Sequence, residues 1–172
     1  MKPNAIALAN YFIDLAASNN KDIFQFGLMK RVYIAHGFCL AVLDRGALDP
    51  YFDVVEAWKN GPVIPSIYHS FKYNRNNPIT EKSVAVSYEN NNIKTQTPKL
   101  EDNDIMDIAE RVWKRYINFS DTELIELLHR NGTPWALCYV EGENKVIPDL
   151  YTKTFYTKVL DYEYEKRLKG IN

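Results

Sequence analysis

The sequence predicts a mainly α domain, bordering on α+β, in which helices wrap one buried central helix and a small β-hairpin is attached. Three observations predict it. Residues 32–43, Val32 through Leu43, are apolar nearly all round the helical wheel, which marks a helix covered on several sides. Stretches before and after it repeat apolar residues at helical spacing. Residues 83–97 instead alternate with a period of two, the mark of paired strands.

The elements follow in order. The first helix is expected over residues 3–17, with Pro3 in its first turn and Ile6, Ala9, Phe12, Ile13 and Ala16 on one face. Ser18-Asn19-Asn20 ends it, and a connector, residues 22–27, leads to the central helix over 28–44. Gly37 in the middle of that helix costs about 1 kcal/mol against alanine. A close approach by another element is the expected compensation. Asp44-Arg45-Gly46 stops the helix. Residues 48–59 read as extended or irregular chain, and Asn60-Gly61-Pro62 as a tight turn. A short helix over 65–72 turns Ile67, Tyr68 and Phe71 inward, before a polar loop at 74–78.

In the alternating segment, Val84, Val86 and Tyr88 interleave with Ser83, Ala85 and Ser87. Asn90-Asn91-Asn92 offers the turn and residues 93–97 the return strand. A lone hairpin is marginal in water, so this one is expected to lean on the helices. Glu101-Asp102-Asn103-Asp104 opens the next helix with acids where the helix dipole favours them, and Ile105, Ile108, Ala109, Val112, Trp113 and Tyr116 form its apolar face. Ser120-Asp121-Thr122-Glu123 is a capping box for a helix running to about His129, closed by Asn131-Gly132. Thr133-Pro134-Trp135 starts another short helix. Residues 148–160 form the last one, followed by a polar, Lys- and Glu-rich tail from about 161. With no repeat and no linker, the 172 residues read as one domain.

Composition narrows the function. The formal net charge is −1 and basic residues are interleaved with acids, so the phosphate-neutralising stripe of a duplex binder is missing and nucleic acid is not an expected partner. Cys39 and Cys138 stand far apart in apolar surroundings, without zinc or redox spacing, as suits a reducing compartment. Met1-Lys2-Pro3-Asn4 opens no signal-like apolar region, and no apolar run approaches the ~20 residues that span a bilayer. The expected location is the cytoplasm, without membrane contact.

The search for chemistry returns little. There is no Gly-rich phosphate loop and no Gly-x-Ser-x-Gly elbow. His36, His69 and Glu56 make a known ligand set in principle, but their spacing matches no local zinc motif. The favoured reading is a helix histidine satisfied by a neighbouring polar group, with Glu56 as candidate. His36 and Cys39 share a helix face, yet a catalytic thiol needs an electropositive, part-exposed setting, and Phe38 and Leu40 flank this one. Glu56, a lone carboxylate, reads as an acceptor at the turn built by Gly61 and Pro62. The expectation is a non-enzyme without catalytic residue, metal or cofactor.

The central stretch carries a resemblance. Lys30-Arg31-Val32-Tyr33-Ile34-Ala35-His36-Gly37, then Leu40-Ala41, is followed by Glu56-Ala57-Trp58 and by Gly61-Pro62-Val63-Ile64-Pro65-Ser66-Ile67-Tyr68. In content, order and separation these resemble the two motifs of the SocA-like antitoxin (Panacea) domain family. Thr133-Pro134-Trp135 with His129 upstream, and Ile147 through Tyr156, resemble its later parts more loosely. Leu128 stands where the family has a threonine, and Arg31 where it has an apolar residue. The resemblance implies a mainly helical fold with a small β element. It implies an antitoxin that neutralises a partner toxin, encoded by a neighbouring gene, by direct contact, of a kind frequent in phages and prophages. It brings no catalytic residue. Tyr33, His36, Gly37, Glu56, Trp58, Gly61, Pro62, Pro65, Tyr68 and Trp135 read as scaffold residues.

Two other readings stand beside this one. The first is an adaptor or transcriptional regulator that presents another protein or DNA. The second is a metal-dependent enzyme using His36, Glu56 and His69. Tyr68 and Tyr73 are candidate partner contacts, since tyrosine is enriched at interfaces. Nothing in the sequence sets the oligomeric state.

Overall fold

The computed structural model of the protein describes residues 4–89 and 91–169. Helix α1 (Ala5–Ser18) starts where the extended Asn4 accepts hydrogen bonds from the Ile6 and Ala7 amides, at 2.8 and 3.0 Å. The Ala5 amide donates to Asp53 at 2.9 Å. Pro3, expected in the first turn, lies outside the described residues.

Helix α2 (Gln25–Leu43) begins three residues earlier than expected. Gln25 is held there because its side-chain amide donates to the Tyr68 carbonyl at 3.1 Å. Asp44, in the left-handed region at φ 56°, ends the helix. Around α2 pack α1, α3 (Pro65–Phe71), α4 (Asn103–Tyr116), α5 (Asp121–His129) and α7 (Asp149–Leu168). The short α6 (Pro134–Cys138) bridges α5 and α7. By length and composition the 19 residues of α2 suffice to cross a membrane, contrary to the sequence expectation. Fourteen of them are buried inside the protein, including Lys30, Arg31 and His36, each with an internal partner.

Two small sheets complete the fold. β1 (Glu56–Trp58) pairs antiparallel with β2 (Gly61–Val63) on one side and with β5 (Lys145–Val146) on the other. Residues 56–58 are thus extended, one of the two states read for 48–59, whereas the turn read at 60–62 is corrected. The turn is Lys59-Asn60, while Gly61 and Pro62 stand in the return strand. Pro62 fits because β2 is an edge strand, where a missing donor breaks no ladder. Strands of two and three residues are too short to show a period, which is why the sequence hid them.

β3 (Ala85–Glu89) and β4 (Asn92–Gln96) form the expected hairpin, with Val86 opposite Thr95 and Tyr88 opposite Ile93. Asn90 of the expected turn lies outside the described residues. The hairpin does not lean on the helices as expected. Val86, Tyr88 and Ile93, on its apolar face, are 67, 70 and 72 % exposed. It is held at its root. Buried Asn10 of α1 donates to the Ser83 and Pro98 carbonyls and accepts from the Ser83 amide, clamping both legs. Lys82 adds an ion pair to Asp14 at 2.7 Å.

The last helix runs on to Leu168, past its expected end at 160. Its Glu, Lys and Arg residues are good helix formers, and Glu163 is tied to Arg115 of α4 at 2.9 Å.

Candidate functional site

The signature residues fall into two groups. The first lines the seam between α2 and α7. Tyr33 is buried, and its hydroxyl pairs with the Thr152 hydroxyl at 3.2 Å. One turn on, Gly37 receives the ring of Tyr156; any Cβ there would overlap that ring. This is the close approach that the glycine called for. His36 lies between them. Its Nδ1 accepts the Ala47 amide at 3.2 Å, so Nε2 carries the proton and donates to Asp149 at 3.0 Å. His36 is therefore a satisfied histidine, as expected, but its partner is Asp149 and not Glu56.

The second group surrounds the β1–β2 hairpin. Glu56 accepts the Trp58 indole N–H at 2.7 Å, two residues along its own strand. The expected partners, backbone or a basic side chain at the turn, are not the ones recorded. The Trp58 ring lies 5.0 Å from that of Tyr68, and the Trp58 carbonyl accepts the Trp135 indole N–H at 2.8 Å. Trp135 stacks flat on His129, centroids 3.7 Å apart, and on Tyr139 at 4.6 Å. Pro65 occupies the first turn of α3.

Gly61 is the pivot of this group. Its φ of +100° suits only glycine, and a Cβ would sit 3.0 Å from Lys30 Nζ and 3.3 Å from His129 Nε2. Gly61→Ala is expected to cost about 1–2 kcal/mol, read as a lower denaturation midpoint at unchanged slope. A cost below a few tenths would show that the hairpin relaxes around the methyl group.

Lys30 is the group that the sequence reading missed. It is fully buried and donates to the Pro62 carbonyl at 2.8 Å. Burial pushes its ammonium down to about 7, against a smaller opposing pull from Asp121. The same burial, with the Lys30 charge nearby, lowers His129, whose Nε2 has no partner among the described residues. Arg31, also buried, donates to the Tyr116 and Phe119 carbonyls at the end of α4 and lies over the Trp113 ring. The available signal was two successive cations, Lys30 and Arg31, in the most apolar helix, set between Leu28-Met29 and Val32-Tyr33.

His36, Glu56 and His69 are not brought together. Each of the first two is engaged as above, and His69 is exposed on α3 against the Tyr68 ring. Among the described residues no cluster of three or more His, Cys, Asp or Glu could hold a metal ion. Cys39 is fully buried and its thiol is pushed up to about 12, so it is not poised as a nucleophile. Of the two candidate contact tyrosines, Tyr68 is half-buried on Trp58, and Tyr73 is 81 % exposed under the Lys72 ammonium. The motif residues thus meet partners inside the protein: Glu56, Trp58 and Trp135 one another, and Tyr33, His36 and Gly37 residues of α7.

Comparison with known proteins gives a family for this arrangement. The family described as antitoxin SocA-like, Panacea domain, matches residues 28–136. The chain is similar to Antitoxin SocA of Caulobacter vibrioides (strain NA1000 / CB15N), 32% identical over 133 residues, which cover 77% of this chain and 68% of that protein. No solved structure matches.

Proposed function

This chain belongs to the antitoxin SocA-like, Panacea domain family, and on that premise we propose that it neutralises a toxin protein by direct contact. The toxin is encoded by a neighbouring gene, the two proteins meet in the cytoplasm, and no catalysis or cofactor takes part. The observation that carries this reading is the 32% identity to Antitoxin SocA over 133 residues, beside a family match over residues 28–136 that contains both motifs. The internal engagement of His36 by Asp149, and of Glu56, Trp58 and Trp135 by one another, supports it, because side chains already spent inside the fold leave recognition to the outer surface. Tyr73 is available for such contact, whereas Tyr68 shares its ring with Trp58.

Co-expression with the product of the adjacent reading frame tests the proposal. That product alone is expected to arrest growth, and this chain to restore growth and co-purify with it. A neighbour harmless by itself, or one that stays toxic beside this chain, rules the reading out.

A further inference from the structure

Helices α4 and α7 both pack on α2 rather than on each other, which leaves a groove of about 730 Å³ between them. The Arg115–Glu163 ion pair links its two walls. Its floor is apolar: Phe38 and Val42 of α2, Ile108 of α4 and Leu160 of α7. Val42 is 56 % exposed there, on a helix otherwise enclosed for most of its length. Helix α4 lines the groove with residues 104, 107, 108, 111, 112, 114 and 115, all but 114 at the repeat of one helix face. That face runs for about 17 Å at the helical rise, roughly three turns.

Charge divides the groove. Along α4, Asp104, paired with Arg45, and Asp107 come first and Arg111 and Lys114 follow; Arg167 of α7 lines the same groove. Among the described residues those three cations make no salt bridge, while Arg45 and Arg115 do. We propose that this groove seats an amphipathic helix of the partner protein, of about three turns, whose apolar face meets Val42 and whose acidic flank meets Arg111, Lys114 and Arg167. A helix laid between two helices on a third completes a bundle, with anchors at i, i+3, i+4 and i+7. Charge selects the acidic flank, because a basic one would bring like charges together at the rim. The assignment rests on the antitoxin reading for the identity of the partner, though not for the chemistry of the occupant.

The probe is a synthetic 14-residue amphipathic peptide with a leucine face and glutamate flanks, compared with the same peptide carrying lysine flanks. Binding to the full chain is followed by fluorescence anisotropy at low salt. The glutamate peptide is expected to bind at least tenfold more tightly than the lysine peptide. Val42→Glu, and Arg111→Glu with Lys114→Glu, are each expected to weaken it at least tenfold. Lys158→Glu, on α7 but outside the groove, is expected to leave it unchanged. All of these side chains are exposed, and circular dichroism checks that each variant stays folded. Equal affinity for the two peptides, or full binding by both groove variants, overturns the assignment. Failure of the wild-type chain to neutralise its neighbour would instead overturn the antitoxin reading, and the peptide comparison still decides the groove.

Discussion

Replacing Gly37 by alanine is expected to destabilise the protein by about 2–3 kcal/mol, although alanine is the better helix former by about 1 kcal/mol. The new methyl group would enter the space filled by the Tyr156 ring, which is held on its other sides by Phe38 and Tyr33. Tyr156→Ala alone is expected to cost about 3–5 kcal/mol through the cavity it leaves. Combined, the two changes should interact with opposite sign. In the Tyr156→Ala background, Gly37→Ala meets no ring and is expected to be neutral or stabilising by about 1 kcal/mol. Chemical denaturation of the four proteins measures the cycle. An equal effect of Gly37→Ala in both backgrounds would show that the glycine serves something other than this contact.

Lys30→Met is expected to stabilise the protein at pH 6 and to lose that advantage by pH 10. The ammonium of Lys30 is held near 7 in the fold, against 10.5 when unfolded. Between those values the unfolded chain binds the extra proton, so stability rises with pH. The burial penalty is complete below pH 7 and fades as pH climbs toward 10.5. Methionine removes it and leaves the Pro62 carbonyl without a donor, which costs about 1–3 kcal/mol. The net gain is expected to be about 2 kcal/mol at pH 6. At pH 10, where the neutral amine still donates to Pro62, the variant should be equal or less stable. Stability curves of the two proteins that run parallel across this range would remove Lys30 as the source of the pH dependence.

The parts of the fold that were legible in the sequence are those with local causes. The run from Val32 to Leu43 announced the central helix, and Gly37 announced a close neighbour. The Ser120–Glu123 box closes in both directions, as its spacing demands. The SocA-like resemblance, carried by two short motifs, holds over residues 28–136. What stayed hidden depends on partners far along the chain. Lys30 finds its acceptor in β2, Arg31 finds two at the end of α4, and His36 finds Asp149 across 113 residues. Nothing near Glu56 distinguished a bond to Trp58 from one to His36. Alternation in residues 83–97 revealed two unlike hairpin faces, but alternation does not say whether the apolar face is covered.

The seam between α2 and α7 also has a consequence in time. Tyr33 meets Thr152 across 119 residues, so the central helix leaves the ribosome more than 100 residues before its cover is made. At ordinary elongation rates that interval is roughly 5–20 s. Throughout it, a 19-residue apolar helix of membrane-spanning length lacks the last of the five helices that pack around it. A chain ending before residue 149 would therefore keep the cover that α1, α3, α4 and α5 give to α2 and lose only the face that α7 covers.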